Sequence, residues 1–161
     1  MRTIPITEQP PEKLPKRIEQ LILQGENEVL DFKKEVTSEI KIAKTIVSFA
    51  NHKGGRLLIG VNDNKSIHGI NAEEELFMLE KAAGFYCRPK IELEIYPWHS
   101  GKKTILEVII PQGTDKPYYS LGDDGKWWVY IRVMDQSLLA SKVVVDVLKR
   151  GQTGTMVSFT S

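Results

Sequence analysis

Two hydrophobic periods, one helical and one alternating, take turns along this chain. Leu14, Ile18, Leu21 and Ile22 recur at helical spacing, which predicts a first helix from Pro11 to a stop at Gly25. Val29, Leu30 and Phe32 then predict a strand over residues 28–33. A second helix follows, capped by Thr37 or Ser38, with Ile40, Ala43, Val47 and Ala50 as its apolar stripe and Ile46 and Phe49 widening it. Lys41 and Lys44 fall off that stripe. The helix ends over residues 51–53, Gly54-Gly55 turns the chain, and Leu57 to Val61 read as a buried strand. That strand delivers Asn62 and Asp63 to a surface edge, where a rigid scaffold supports polar groups.

The second half continues in the same manner. Asn62 to Lys65 is turn chemistry, and Ile67 to Ile70 a short extended piece. Residues 73–83 predict a third helix with acid at its start, where the helix dipole favours it. Ile91, Leu93 and Ile95 alternate as a half-buried strand, and Gly101-Lys102 turns a hairpin into residues 104–110. Residues 111–125 read as a long loop. Trp127, Val129, Ile131 and Val133 alternate with Trp128, Tyr130 and Arg132 in a last strand. Ser141 caps a closing helix with Val144, Val145 and Leu148 inside. The order predicts an α+β fold, a mixed β-sheet flanked by helices. An arm and helix occupy residues 1–24, the main domain 25–150 and a flexible tail 151–161.

Composition narrows the class. A chain of 161 residues with 41% hydrophobic and 27% charged content is one soluble domain with an adequate core. One cysteine, Cys87, excludes an internal disulfide framework and fits a reducing, cytoplasmic setting. There is no apolar run of membrane-spanning length and no signal-peptide core. Gly54-Gly55 lacks the Lys-Ser/Thr of a phosphate-binding loop, so ATP is not expected. The histidines His52, His68 and His99 show no zinc spacing. The net charge of +1 hides a local excess, since residues 31–65 hold seven cations (Lys33, Lys34, Lys41, Lys44, Lys53, Arg56, Lys65) against four acids. Such a patch beside a glycine turn suits phosphate contacts.

Several blocks in order resemble the Schlafen AlbA-type domain. They are Gly25-Glu26 followed by Leu30-Asp31-Phe32-Lys33, then Phe49-Ala50-Asn51 with Gly54-Gly55, then Ile59-Gly60-Val61-Asn62-Asp63 with Gly69, and finally Lys116-Pro117-Tyr118 and Tyr130-Ile131-Arg132-Val133. Three departures stand out: Asp31 where the family usually has glutamate, His52-Lys53 in place of a Thr-containing pair, and Met134 where glycine usually follows the Tyr-Ile-Arg strand. The resemblance implies a Schlafen/Alba-like fold that binds DNA or RNA mainly by backbone contacts, as a homodimer, with transcriptional regulation as one setting. The binding residues would be Lys33, Lys41, Lys44, Asn51, His52, Lys53, Gly54, Gly55, Arg56 and Arg132, with Lys102 and Lys103 extending the patch. Binding would need no cofactor.

Nuclease members of the group imply an alternative, a metal-dependent ribonuclease in which Glu26, Asp31 and Asp63 hold Mg²⁺ or Mn²⁺. Each of the three also has a plain reading, as a solvated turn residue, a strand-surface residue and a turn former. A protein-interaction module is the further alternative. The aromatic cluster Tyr118, Tyr119, Trp127, Trp128 and Tyr130 serves either a partner surface or base stacking, with Trp127 assigned to the core and Trp128 or Tyr130 left for exposure.

Overall fold

The computed structural model describes residues 12–152. The predicted arm, and the tail beyond residue 152, lie outside the described residues. Helix α1 spans Lys16–Gln24, later than its predicted start at Pro11. Pro15 sits in extended backbone at the N-cap, and a proline disfavours helix in the residue before it. Gly25 ends α1 at a φ of 83°, a conformation glycine adopts freely. Strand β1 spans Leu30–Lys33, α2 Glu39–Ala50 and β2 Gly55–Ile59. Ser38, not Thr37, caps α2 by accepting the Lys41 N–H. Helix α3 covers Ala72–Phe85, with Asn71 as its cap. Strands β3 (Cys87–Arg88), β4 (Glu94–Ser100), β5 (Lys103–Ile110), β6 (Tyr119–Leu121), β7 (Trp127–Val133) and β8 (Gln136–Leu139) follow, then α4 (Lys142–Gln152).

The fold is α+β, as the sequence predicts, but the strands form two sheets rather than one. The first is mixed, in the order β1-β2-β5-β4, with β1 and β2 parallel and the other pairs antiparallel. The second, β3-β6-β7-β8, is antiparallel. Strand alternation sorts the first sheet's side chains. Leu30, Phe32, Leu58 and Ile105 pack with Ile18 and Ile22 of α1 on one face. Leu57, Ile59, Leu106, Val108 and Ile110 pack with α2 and α3 on the other. Helix α2 is buried from Thr45 to Ala50 because it lies against both that face and the second sheet. This demand from two sides exceeds a single apolar stripe and explains the buried Thr45 and Ser48.

The predicted long loop contains β6 and is pinned to α2. The Asn51 amide donates to the carbonyls of Tyr118 and Tyr130 at 3.0 and 2.9 Å, and its oxygen accepts the Tyr118 N–H at 2.7 Å. Gly113 N–H bonds the Ala50 carbonyl at 2.9 Å. Ile91 and Leu93 precede β4 instead of belonging to it. Ser141 caps α4 as expected, through the Val144 N–H. Among the described residues no helix is long and apolar enough to cross a membrane.

Candidate functional site

An open cavity of about 410 Å³ lies where β1, α2 and the β7–β8 hairpin meet. Its lining includes Glu26, Asp31, Lys33, Lys41, Lys44 and Arg132, residues far apart in sequence. Local structure explains the convergence. Asp31 and Lys33 share the face of β1 opposite to Leu30 and Phe32, so they point away from α1. Lys41 and Lys44 project from the flank of α2 that its apolar packing leaves free. Arg132 reaches across from the second sheet.

Arg132 organises the site. Its side chain is 1% exposed, and Nη1 lies 3.6 Å from Asp31 Oδ2. Nη1 also donates to Ser137 Oγ at 3.3 Å, while Nη2 donates to the carbonyls of Asn27 and Leu30 at 3.0 and 3.4 Å. The guanidinium lies 4.6 Å from the Phe49 ring centroid. Burial lowers its pKa, and Asp31, Glu26 and Asp135 oppose that shift. Its Nε finds no hydrogen-bond partner among the described residues. Lys33 Nζ approaches the same Asp31 oxygen at 3.3 Å. The Lys44 ammonium sits 5.4 Å from the Tyr130 ring centroid.

Glu26 and Asp31 form a carboxyl pair at the cavity mouth. Both accept the Phe32 N–H, at 3.2 and 3.0 Å. Desolvation, then a hydrogen bond to Asp31, pushes Glu26 up to about 7, with a smaller contribution from the charge of Asp63. Glu26 as a whole remains exposed, and solvent moderates that shift. Asp63 thus lies within electrostatic reach but does not line the cavity. The donor set falls short of a three-carboxylate metal centre. Among the described residues no three Asp, Glu, His or Cys side chains converge to hold an ion, and Asp31 already faces Lys33 and Arg132.

The remaining predicted residues lie elsewhere. Asn51 is 5% exposed, and its amide is consumed in the clasp on Tyr118 and Tyr130, so it fastens the fold rather than facing a ligand. Arg56 shares the α1 face of the first sheet with Leu58 and bonds Glu107 at 3.1 Å, opposite to the cavity. His52 and Lys53 both engage Glu28 at 3.2 Å. Gly54 has a φ of 75°, and a Cβ there would stand 2.6 Å from the Ile110 carbonyl oxygen. A Cβ on Gly55 would stand 2.5 Å from the Phe49 ring. The glycine pair therefore permits close packing of backbone. Lys103 turns to the Ile67 carbonyl and lines a different cavity together with Lys102. Cys87 is buried, which pushes its thiol up to about 12 and leaves it inert.

Asp135, Gln136 and Ser137 complete the cavity wall and were not singled out from sequence. The signal available was Met134, standing where the resembling family turns on glycine. It marks a tight turn that swings the following residues back beside Arg132. A larger groove, about 460 Å³, runs between α3 and residues 90–95, but it carries one lysine against two glutamates.

The α+β fold is that of a Schlafen-type AlbA domain. The chain belongs to the family described as Schlafen, AlbA_2, whose model matches residues 26–141. No curated protein matches it. Solved structures that share the fold include two from bacteria. One is the DIP2311 protein of Corynebacterium diphtheriae, at 15% identity and a TM-score of 0.60, with 85% of this chain covered. This chain spans only 32% of that protein's length. The other is the N-terminal domain of a RecG-related protein of Nitrosomonas europaea named for ATP-dependent DNA helicases. It is 21% identical, with a TM-score of 0.51, 76% of this chain and 94% of that domain covered.

Proposed function

We propose that this domain binds nucleic acid, chiefly through backbone phosphates seated at the β1–α2–hairpin cavity. The observation that carries this reading is the convergence of Lys33, Lys41 and Lys44 onto one open site, where Asp31 is already matched by Arg132. Phosphate oxygens are the natural complement of the three lysines, while the buried Arg132 holds Asp31 and the frame of the site behind them. Membership of the AlbA_2 family and the helicase-related name of the Nitrosomonas neighbour point the same way. A homodimer belongs to the proposal, because one domain of this size offers a small footprint.

Fluorescence anisotropy with labelled single-stranded RNA, single-stranded DNA and duplex DNA tests the reading. For three phosphate contacts, affinity falls roughly 20- to 40-fold between about 50 and 200 mM salt. Salt-independent binding, or none at low salt, overturns it. Strand cleavage is the reading the geometry favours less, because Asp63 does not line the cavity and Asp31 already faces Lys33 and Arg132. Labelled RNA incubated with Mn²⁺ should therefore be cut no faster by the native chain than by an Asp63→Ala variant.

A further inference from the structure

We propose that Trp128 is a stacking platform for a base of single-stranded nucleic acid, set beside the lysine-lined cavity. This rests on the nucleic-acid reading above and names the strand form that the site takes. The two adjacent tryptophans of β7 have different fates. Trp127 is half-buried, with the Arg88 guanidinium 4.2 Å from its ring centroid. Trp128 points to the opposite face and remains 38% exposed.

Trp128 is exposed but fixed. Its Nε1–H donates to both Asp124 carboxylate oxygens, at 3.3 and 3.2 Å. Asp124 is itself anchored by the Lys126 N–H at 3.0 Å. The turn closes with Gly125 N–H on the Gly122 carbonyl and Gly122 N–H on the Lys126 carbonyl, at 3.0 and 2.8 Å. Gly122 lets the loop lie against the indole edge, since a Cβ there would stand 3.2 Å from Trp128 Cδ1. The polar group of the indole is thus satisfied at the edge, and the ring is oriented before any ligand arrives. That lowers the ordering cost of binding and leaves an apolar π-face to offer.

Position supplies the ligand. Trp128, Tyr130 and Arg132 alternate onto one face of β7, and Arg132 lines the cavity while Lys44 covers Tyr130. From Arg132 to Trp128 is about 13 Å at strand rise, within reach of a short extended strand. Phosphates are drawn to the basic end. At the other end the charge of Lys126 is opposed by Asp124 and the indole offers an apolar face, so a base is the part of the strand that meets Trp128. A duplex hides its base faces, whereas a single strand presents them.

The test compares the native chain with Trp128→Ala, Trp128→Phe and the double variant Lys41→Glu/Lys44→Glu. The probes are a single-stranded oligonucleotide, the same strand with abasic sites, and the duplex. Trp128→Ala should lose about tenfold in single-strand affinity and nothing on the duplex or the abasic strand. Trp128→Phe, which keeps a ring, should retain most of the affinity, and it guards against loss through misfolding. If the lysine variant weakens binding while Trp128→Ala does not, stacking is wrong and the nucleic-acid reading survives. Equal loss on all three probes also overturns stacking. If the native chain binds the duplex but no single strand at low salt, stacking fails and the nucleic-acid reading survives; if it binds none of the probes, both fail.

Discussion

Met134 holds a left-handed φ of 55° at the tip of the β7–β8 hairpin and is 77% exposed. A side chain there bears a steric cost of about 1–2 kcal/mol, and glycine removes it at a smaller cost in unfolded-chain entropy. Met134→Gly should stabilise the fold by about 0.5–1 kcal/mol, read as a higher urea midpoint at unchanged slope; a lower midpoint would contradict this. Glu26 makes a second prediction at this scale. Its pKa in the fold, about 7, lies above the ordinary carboxyl value of 4.5. The folded chain therefore holds a proton that the unfolded chain releases. Glu26 contributes its stability below pH 4.5 and loses it as pH rises to about 7. Glu26→Gln should flatten the decline in melting temperature across that window, and an unchanged pH profile would show the pair to be uncoupled.

Helix α1 is fastened to the first sheet by one carboxylate. Glu107 is fully buried and receives both Arg17 terminal nitrogens at 2.6 and 2.9 Å, Arg56 Nε at 3.1 Å and Trp98 Nε1 at 3.0 Å. The Arg17 bonds dominate in holding it below the usual carboxylate range. Glu107→Ala strands these donors and should cost about 3 kcal/mol, discounted for the half-exposed arginines. Hydrogen exchange should quicken first in α1. This clasp was not legible in the sequence, because Glu107 reads as one polar position in a hydrophobic strand and its arginine partners lie 51 and 90 positions away. The helices were legible, since Ile18 and Ile22, or Val47 and Ala50, carry their period locally. The split into two sheets was not. Strands β3, β6 and β8 have two to four residues each, too short to show a period, and only their pairing to β7 or to one another defines them. The site was half legible: the lysines of α2 and the opening acids stood out, whereas Asp135 to Ser137 depend on how the hairpin folds back.

At the scale of the molecule, the cavity sits on the seam between the two sheets. β1 belongs to one, the β7–β8 hairpin to the other, and α2 lies between them. Arg132 bridges the seam by bonding the carbonyls of Asn27 and Leu30 from β7. Site geometry and sheet docking are therefore held by the same side chain. Arg132→Ala would damage both and says little about binding alone. The lysines of α2 are the better probe, because Lys41 is exposed and Lys44 touches only the Tyr130 ring among the contacts described. The most direct measurement is the dissociation constant of Lys41→Glu/Lys44→Glu for single-stranded nucleic acid at low salt. A charge reversal at Lys90, in the distant groove, serves as control. A loss of roughly 30-fold or more with a shallower salt slope, against little change for the control, is the predicted result. Equal affinity in the two variants would contradict the cavity as the nucleic-acid site.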